Sequence, residues 1–261
     1  MNNDIAIVGV GQTSPVRRSD RDLRALVTEA VQLALADAGI EPQEVDGVIS
    51  DGVIMPASVP REYVAAQFGI TRRFDGGMSY GGAGSVCAPL LARMAIETGQ
   101  ADVVVYYFGV DWGSRESGPY GFHHIYPAKV AFEKPVGFNA QPAYFALWAQ
   151  RYRHEYGLEQ ADLAAIATTQ RASAIRNGRA QLQKPLSVAD YHASRMISDP
   201  LRAADCCVIT DGAAAFVMTR MDRARDCRKR PVRIMGCGFA SEAMTADDVF
   251  TQKPKQLIIP G

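Results

Sequence analysis

The residues best placed to do chemistry lie in the stretch SYGGAGSVCAPLLARMAIETGQADVVVYYFGVD, Ser79 to Asp111. A glycine-rich turn opens onto a helical stretch, and a cysteine, Cys87, stands at its beginning. The first turn of a helix presents N–H groups and the positive end of the dipole, which suits a thiolate, an oxyanion or a phosphate. Ser85 is a favourable N-cap residue, and a proline such as Pro89 costs little only near a helix start. The spacing therefore predicts a helix beginning near Ser85, with Cys87 in its first turn, where a thiol becomes reactive. A second reading has an equally concrete basis. Cys87, Leu90, Leu91, Met94 and Ala95 fall at i, i+3, i+4, i+7 and i+8, an apolar stripe on which cysteine acts as a small buried hydrophobe.

Other residues carry weaker signals, each with a structural alternative. His123 and His124 are adjacent in an aromatic loop, where they serve either packing or substrate contact, and Tyr120 and Tyr126 beside them are candidate proton donors. His154, in RYRHEYG, is read as structural at a helix end. Asp211 and Gly212 form a predicted turn after Thr210. Arg72 and Arg73 make a basic pair suited to a phosphate or to solvated surface. Gly9 and Gly11 give a GxG without the third glycine of a dinucleotide fingerprint, since Ser14 takes its place.

The elements that must position these groups alternate between strand and helix. DIAIVGVG (4–11), VDGVISDGV (45–53) and DVVVYYFGV (102–110) read as strands, as do the apolar run after Gly212 and RPVRIMGCGFASE (230–242). SDRDLRALVTEAVQLALADAGI (19–40) is the clearest helix, with Leu23, Val27, Ala30, Val31, Ala34 and Leu35 on one stripe and Gly39 as its stop. VPREYVAAQFGI (59–70) is a short helix, and 141–157 and 159–177 are longer ones that stop at Gly157 and Asn177–Gly178. Such alternation points to a layered α/β architecture. Residues 112–139, rich in Gly, Pro and aromatics, lack a period and read as a functional loop or lid.

The 261 residues carry 28 basic and 28 acidic side chains, a balance that argues against a chain built mainly to coat nucleic acid. The five cysteines form no CxxC pair and the four histidines no HExxH, so neither a disulfide framework nor a zinc site is expected. A reducing cytoplasm fits these cysteines, and the sequence shows neither a leader peptide nor an apolar run approaching the roughly 20 residues of a membrane span.

The order GGAGSVCAPLLARMAIETGQADVVVYYFG, FNAQPAYFALWAQRYRHEYGLEQADLAAIA, SRMISDPLRAADCCVITDGAAAFVMTR, RPVRIMGCGFASE resembles the N-terminal domain of the thiolase superfamily, in its sterol-carrier/lipid-transfer-protein branch. The resemblance covers nearly the whole chain. It implies a layered α/β/α half with a mixed five-stranded sheet over 1–242, a loop or lid insertion at about 112–180, and 243–261 as a linker toward a missing C-terminal thiolase domain. It also implies homodimerisation through this half, a coenzyme A thioester as substrate with no permanently bound cofactor, and His123 and His124 in a lid over CoA. Asp211 and Gly212 match the DGAAA turn that borders the pantetheine region.

Thiolases attack an acyl-CoA with a cysteine seventeen residues ahead of the glycine that here is Gly99, which places the nucleophile position at Gly82. Cys87 lies five residues later, about 500° or a net 140° further round a helix, and faces elsewhere. A thioester intermediate is therefore not expected. Relatives in the lipid-transfer branch that lack the cysteine are retro-aldolases on CoA thioesters, working with a small OB-fold acyl-CoA-binding partner. That chemistry needs a base and an oxyanion site but no thiol. Backbone N–H groups of Ala83, Gly84 and Ser85 would supply the oxyanion site, or the glycines would only permit close packing. Retro-aldol cleavage is the expected function. The alternatives are acetyl-CoA acetyltransferase-type thiolysis, with Cys87 after a local shift, and a non-catalytic acyl-CoA-binding subunit supporting an active partner.

Overall fold

The apolar runs become the strands of one sheet, and the striped segments become helices laid on its two faces. The structure, a computed structural model, describes residues 4–51, 59–78, 83–116, 118, 127, 129–138 and 140–238. These divide into two compact units, one of residues up to 115 together with 210 onward, the other of residues 116–209.

In the first unit the strands are β1 (Ile5–Gln12), β2 (Gly47–Asp51), β3 (Phe74–Met78), β4 (Val103–Asp111), β7 (Asp211–Arg220) and β8 (Val232–Arg233). Their order is β3-β2-β4-β7-β1-β8. β2 runs parallel to β3 and β4, whereas β7 is antiparallel to both β4 and β1, so the sheet is mixed. It has six strands rather than the expected five. The addition is β3, FDGGM, whose two glycines and single aromatic give neither an apolar run nor an alternation for a sequence to show. The last strand is much shorter than expected and pairs with β1 over two residues.

Helices α1 (Leu23–Ala38) and α2 (Arg61–Phe68) cover one face, against Ala6, Val8, Val48, Val103, Val105, Tyr107, Ala215 and Val217. Helix α3 (Gly84–Glu97) covers the other, against Ile5, Ile49, Val104, Tyr106 and Met218. The period of two along each strand sorts neighbours to opposite layers, which is why Tyr106 and Tyr107 serve different cores. Every residue of the predicted α1 stripe is buried, and Gly39 ends the helix in the left-handed region. α1 is bound to β1 so closely that a Cβ on Gly11 would stand 2.1 Å from the Ala30 carbonyl oxygen, and one on Gly9 2.3 Å from that of Ala34. The GxG of the N-terminus thus serves helix–strand contact.

The second unit holds α4 (Gln141–Tyr156), α5 (Gln160–Asn177), α6 (Val188–Ala193) and a hairpin of β5 (Met196–Ser198) and β6 (Leu201–Arg202). Gly157 and Gly178 end α4 and α5 in the left-handed conformation, as their positions predicted. Tyr191 is fully buried with Ala164 and Ala167, and its hydroxyl donates to Asp205 at 2.9 Å. Within the stretch predicted to lack a period, residues 129–133 form a π turn that buries Lys129 and Glu133, and the Tyr144 hydroxyl donates to Glu133 at 2.6 Å. The remaining short helix, α7 (Met221–Ala224), follows β7 in the first unit.

Candidate functional site

The site is built where β2 ends and α3 begins. Helix α3 starts at Gly84 with Ala83 as its N-cap residue, and no side chain caps it. The predicted cap, Ser85, is inside the first turn instead, and Pro89 lies in the second. Ser85 is turned toward the Tyr106 hydroxyl, close enough to ease its ionisation but without a hydrogen bond of normal geometry. Cys87 follows one turn into the helix, half-buried, and packs against the cluster of Ile49, Ala88, Tyr106 and Met218. Its contacts are those of a core residue. The buried stripe of α3 is Gly84, Ala88, Ala92, Ala95 and Ile96; Met94, placed on it by the spacing, is 56% exposed. The buried stripe runs along the alanines, whose small side chains let α3 lie close to the sheet.

Asp51 is the last residue of β2 and shares the α3 face with Ile49, two residues back. It is 6% exposed, and its carboxyl makes no hydrogen bond or ion pair among the described residues. Burial raises its pKa to about 6. It abuts the first residue of α3: a Cβ on Gly84 would stand 2.0 Å from Asp51 Oδ2. Tyr106, 2% exposed, stacks on Phe216 with ring centroids 4.7 Å apart. Burial first, and then the charge of Asp51, pushes the Tyr106 phenol well above its ordinary value. The start of α3 thus gathers a buried acid, a buried phenol, a serine and the amide-rich end of a helix. Carboxyl ends of parallel strands are where open α/β sheets bind ligands.

Sequence reasoning missed Asp51 and Tyr106. The signal available was an apolar strand that ends in an acid, with the parity of Ile49 and Asp51 directing both to one face.

The remaining predicted residues are dispersed. Asp211 opens β7 as a strand residue rather than forming a turn, opposite Asp111 of β4. Its side chain is fully buried and accepts from Gly113 N at 2.6 Å, Ser114 N at 3.2 Å and Ser19 N at 2.7 Å. Burial acts to raise its pKa, but these hydrogen bonds outweigh it and hold the carboxyl below its ordinary value. The carboxylate ties two loops to the sheet. Gly212 pairs with Val110, and a Cβ there would meet Thr13 Oγ1 at an ordinary 3.4 Å. Arg72 pairs with Glu62 and Asp75, and Arg73 with Asp46 and Asp102, so both are bound to acids on the surface. His154 is exposed in the last turn of α4. Gly82, Tyr120, His123, His124 and Tyr126 lie outside the described residues, as does the segment 243–261.

The layered sheet with α3 buried against it is a thiolase-like fold, and the same assignment comes from comparison. The chain matches no protein-family profile. It is 35% identical over 254 residues to the steroid side-chain-cleaving aldolase of Thermomonospora curvata, covering 92% of this chain and 64% of the relative. It is 37% identical over 243 residues to the 17-hydroxy-3-oxo-4-pregnene-20-carboxyl-CoA lyase of Mycobacterium tuberculosis, covering 90% and 62%. The solved Ltp2-ChsH2(DUF35) aldolase superposes with a TM-score of 0.84 at 32% identity, over 96% of this chain and 64% of that one. A monomeric SCP2-thiolase-like protein of Mycobacterium smegmatis shares the fold, with a TM-score of 0.63 at 22% identity over 86% and 47%. The homologues of the chain are thus thiolases and SCP2-thiolase-like proteins, and it shares their fold, as its motifs implied. It spans less than two thirds of the length of these relatives.

Proposed function

We propose that the chain takes part in retro-aldol cleavage of a β-hydroxyacyl-CoA, in lipid or steroid metabolism. One observation carries the reading. The cysteine at the start of α3 is a core contact, in a chain whose relatives are named as a side-chain-cleaving aldolase and a carboxyl-CoA lyase. In such a cleavage a base takes the proton of the β-hydroxyl and the Cα–Cβ bond breaks. Its electron pair passes into the thioester enolate, which then takes up a proton at Cα. A ketone or aldehyde leaves, with a shorter acyl-CoA. The amides of Ala83, Gly84 and Ser85 face the thioester oxygen as it gains charge. Thiolysis through Cys87 has less support, because the half-buried side chain packs against the core on the α3 face of the sheet.

The solved relative's name joins two proteins, which supports a partner here; we further propose that this partner is a small OB-fold acyl-CoA-binding protein and that two copies of the chain pair through this half. The coenzyme A thioester is substrate rather than resident cofactor. No described helix is long and apolar enough to cross a membrane, and we place the reaction in the cytoplasm.

The reading is tested with Cys87→Ala. Release of carbonyl product from a β-hydroxyacyl-CoA is expected to stay within about twofold of wild type, and iodoacetamide to label Cys87 slowly, with no protection by acyl-CoA. Rapid labelling that acyl-CoA blocks, together with loss of turnover on Cys87→Ala, would restore the thiolase reading.

A further inference from the structure

We infer that Asp51 carries the proton in this cleavage, taking it from the β-hydroxyl as the Cα–Cβ bond breaks and returning it to the α-carbon of the enolate. The assignment rests on the retro-aldol reading, and it follows from an anomaly in the packing. A carboxyl group withdrawn from water is costly unless it is paired. Asp51 is 6% exposed, yet no described residue hydrogen-bonds to it. Helix capping does not explain it, because α3 has no side-chain cap, although Asp51 stands against its first residue. Nor does charge pairing, since Arg61 is bound to Asp75 and reaches Ser50, on the opposite face of the sheet. Gly84 leaves the space that the carboxyl occupies; any side chain there would collide with it. The result is an acid with no partner among the described residues, beside the helix end that would polarise a thioester. A base and an oxyanion site next to each other are what retro-aldol cleavage requires.

Tyr106, from β4, is the titratable group near Asp51, whose charge opposes the ionisation of the phenol; from α3, Gly84 adjoins Asp51 and the uncharged Ser85 adjoins Tyr106. The Arg61, Glu62, Arg72 and Asp75 charges are grouped on the β3–α2 side, around Ser50 and Tyr107. Burial sets the Asp51 carboxyl to ionise near pH 6. Below that pH the base is protonated, so kcat is expected to rise as pH increases through about 6 and then to level off.

The test is Asp51→Asn, nearly isosteric, with its melting temperature checked against wild type. We expect kcat to fall by about 100-fold or more with KM within about threefold, and the acidic limb of the pH profile to disappear. Activity within about threefold of wild type, or an acidic limb that persists in Asp51→Asn, would overturn the assignment. Nuclear magnetic resonance of protein labelled with carbon-13 at the aspartate carboxyls gives a readout independent of turnover. One carboxyl is expected to titrate near pH 6, to be missing in Asp51→Asn, and to shift when propionyl-CoA is added. A resonance that propionyl-CoA leaves unmoved removes Asp51 from the substrate site, whatever the lyase assay shows. If the wild-type chain cleaves no β-hydroxyacyl-CoA while this resonance does respond, the retro-aldol reading fails and Asp51 keeps its place beside the thioester.

Discussion

Gly11→Ala is expected to lower the stability of the chain by about 3–5 kcal/mol, read as a fall in the urea midpoint or as loss of soluble protein. The new methyl would stand 2.1 Å from the Ala30 carbonyl oxygen, 2.4 Å from the Ala34 amide and 2.9 Å from Leu33 Cβ. Two of these are backbone atoms of α1, so no rotamer change relieves the contact; helix and strand must part. That separation would open the core in which Val27, Ala30, Val31 and Ala34 are almost completely buried. Interiors are packed too closely to absorb such a shift without loss elsewhere. Gly212→Ala is the control: its Cβ has ordinary contacts, and the change should cost no more than about 1 kcal/mol. Comparable losses at the two positions would show that α1 does not lie against β1 as described.

Asp211→Ala is expected to cost about as much, roughly 3–5 kcal/mol, for an electrostatic reason. Its carboxylate is the acceptor for three backbone amides, those of Ser19, Gly113 and Ser114, in a fully buried place. Hydrogen bonds to a charged group contribute about 1.5–3 kcal/mol each, and the abandoned amides would be left without that acceptor. The sign of the pH dependence follows from the depressed folded-state pKa. The contribution is complete above the unfolded value of about 3.9 and is lost as pH falls through the lower, folded value. Wild type and Asp211→Ala should therefore differ most near neutrality and converge in acid. A gap in urea midpoint that stays constant from pH 7 to pH 3 would mean that the carboxylate charge is not what holds these loops.

The fold was legible wherever periodicity was strong. The α1 stripe, the Gly39, Gly157 and Gly178 stops, and the apolar runs of β1, β2 and β4 could all be read from local pattern, because each expresses burial on one face or two. β3 could not, since FDGGM owes its strand to pairing with β2 rather than to its own residues. The α3 boundary was displaced because Ser85, an apt cap by type, is engaged toward Tyr106, a residue 21 positions away in the chain. The candidate site was legible as a turn but not as a set of side chains. Asp51 reaches α3 only through the parallel arrangement of β2 and β3, a tertiary fact that strand patterns do not carry. Asp211 drew notice as part of a motif, and its burial under three amides gives that motif a structural role.

The central claim, carbon–carbon cleavage without thiol attack, is tested most directly by whether the reaction consumes coenzyme A. Thiolysis transfers an acyl group to free CoA, whereas retro-aldol cleavage keeps the CoA on the shortened fragment and needs none in solution. A bulky β-hydroxyacyl-CoA incubated with the chain in CoA-free buffer and followed by mass spectrometry should yield equal amounts of carbonyl product and shortened acyl-CoA. Cleavage instead of the matching 3-oxoacyl-CoA, only when free CoA is supplied and with one CoA consumed per cleavage, would contradict the account.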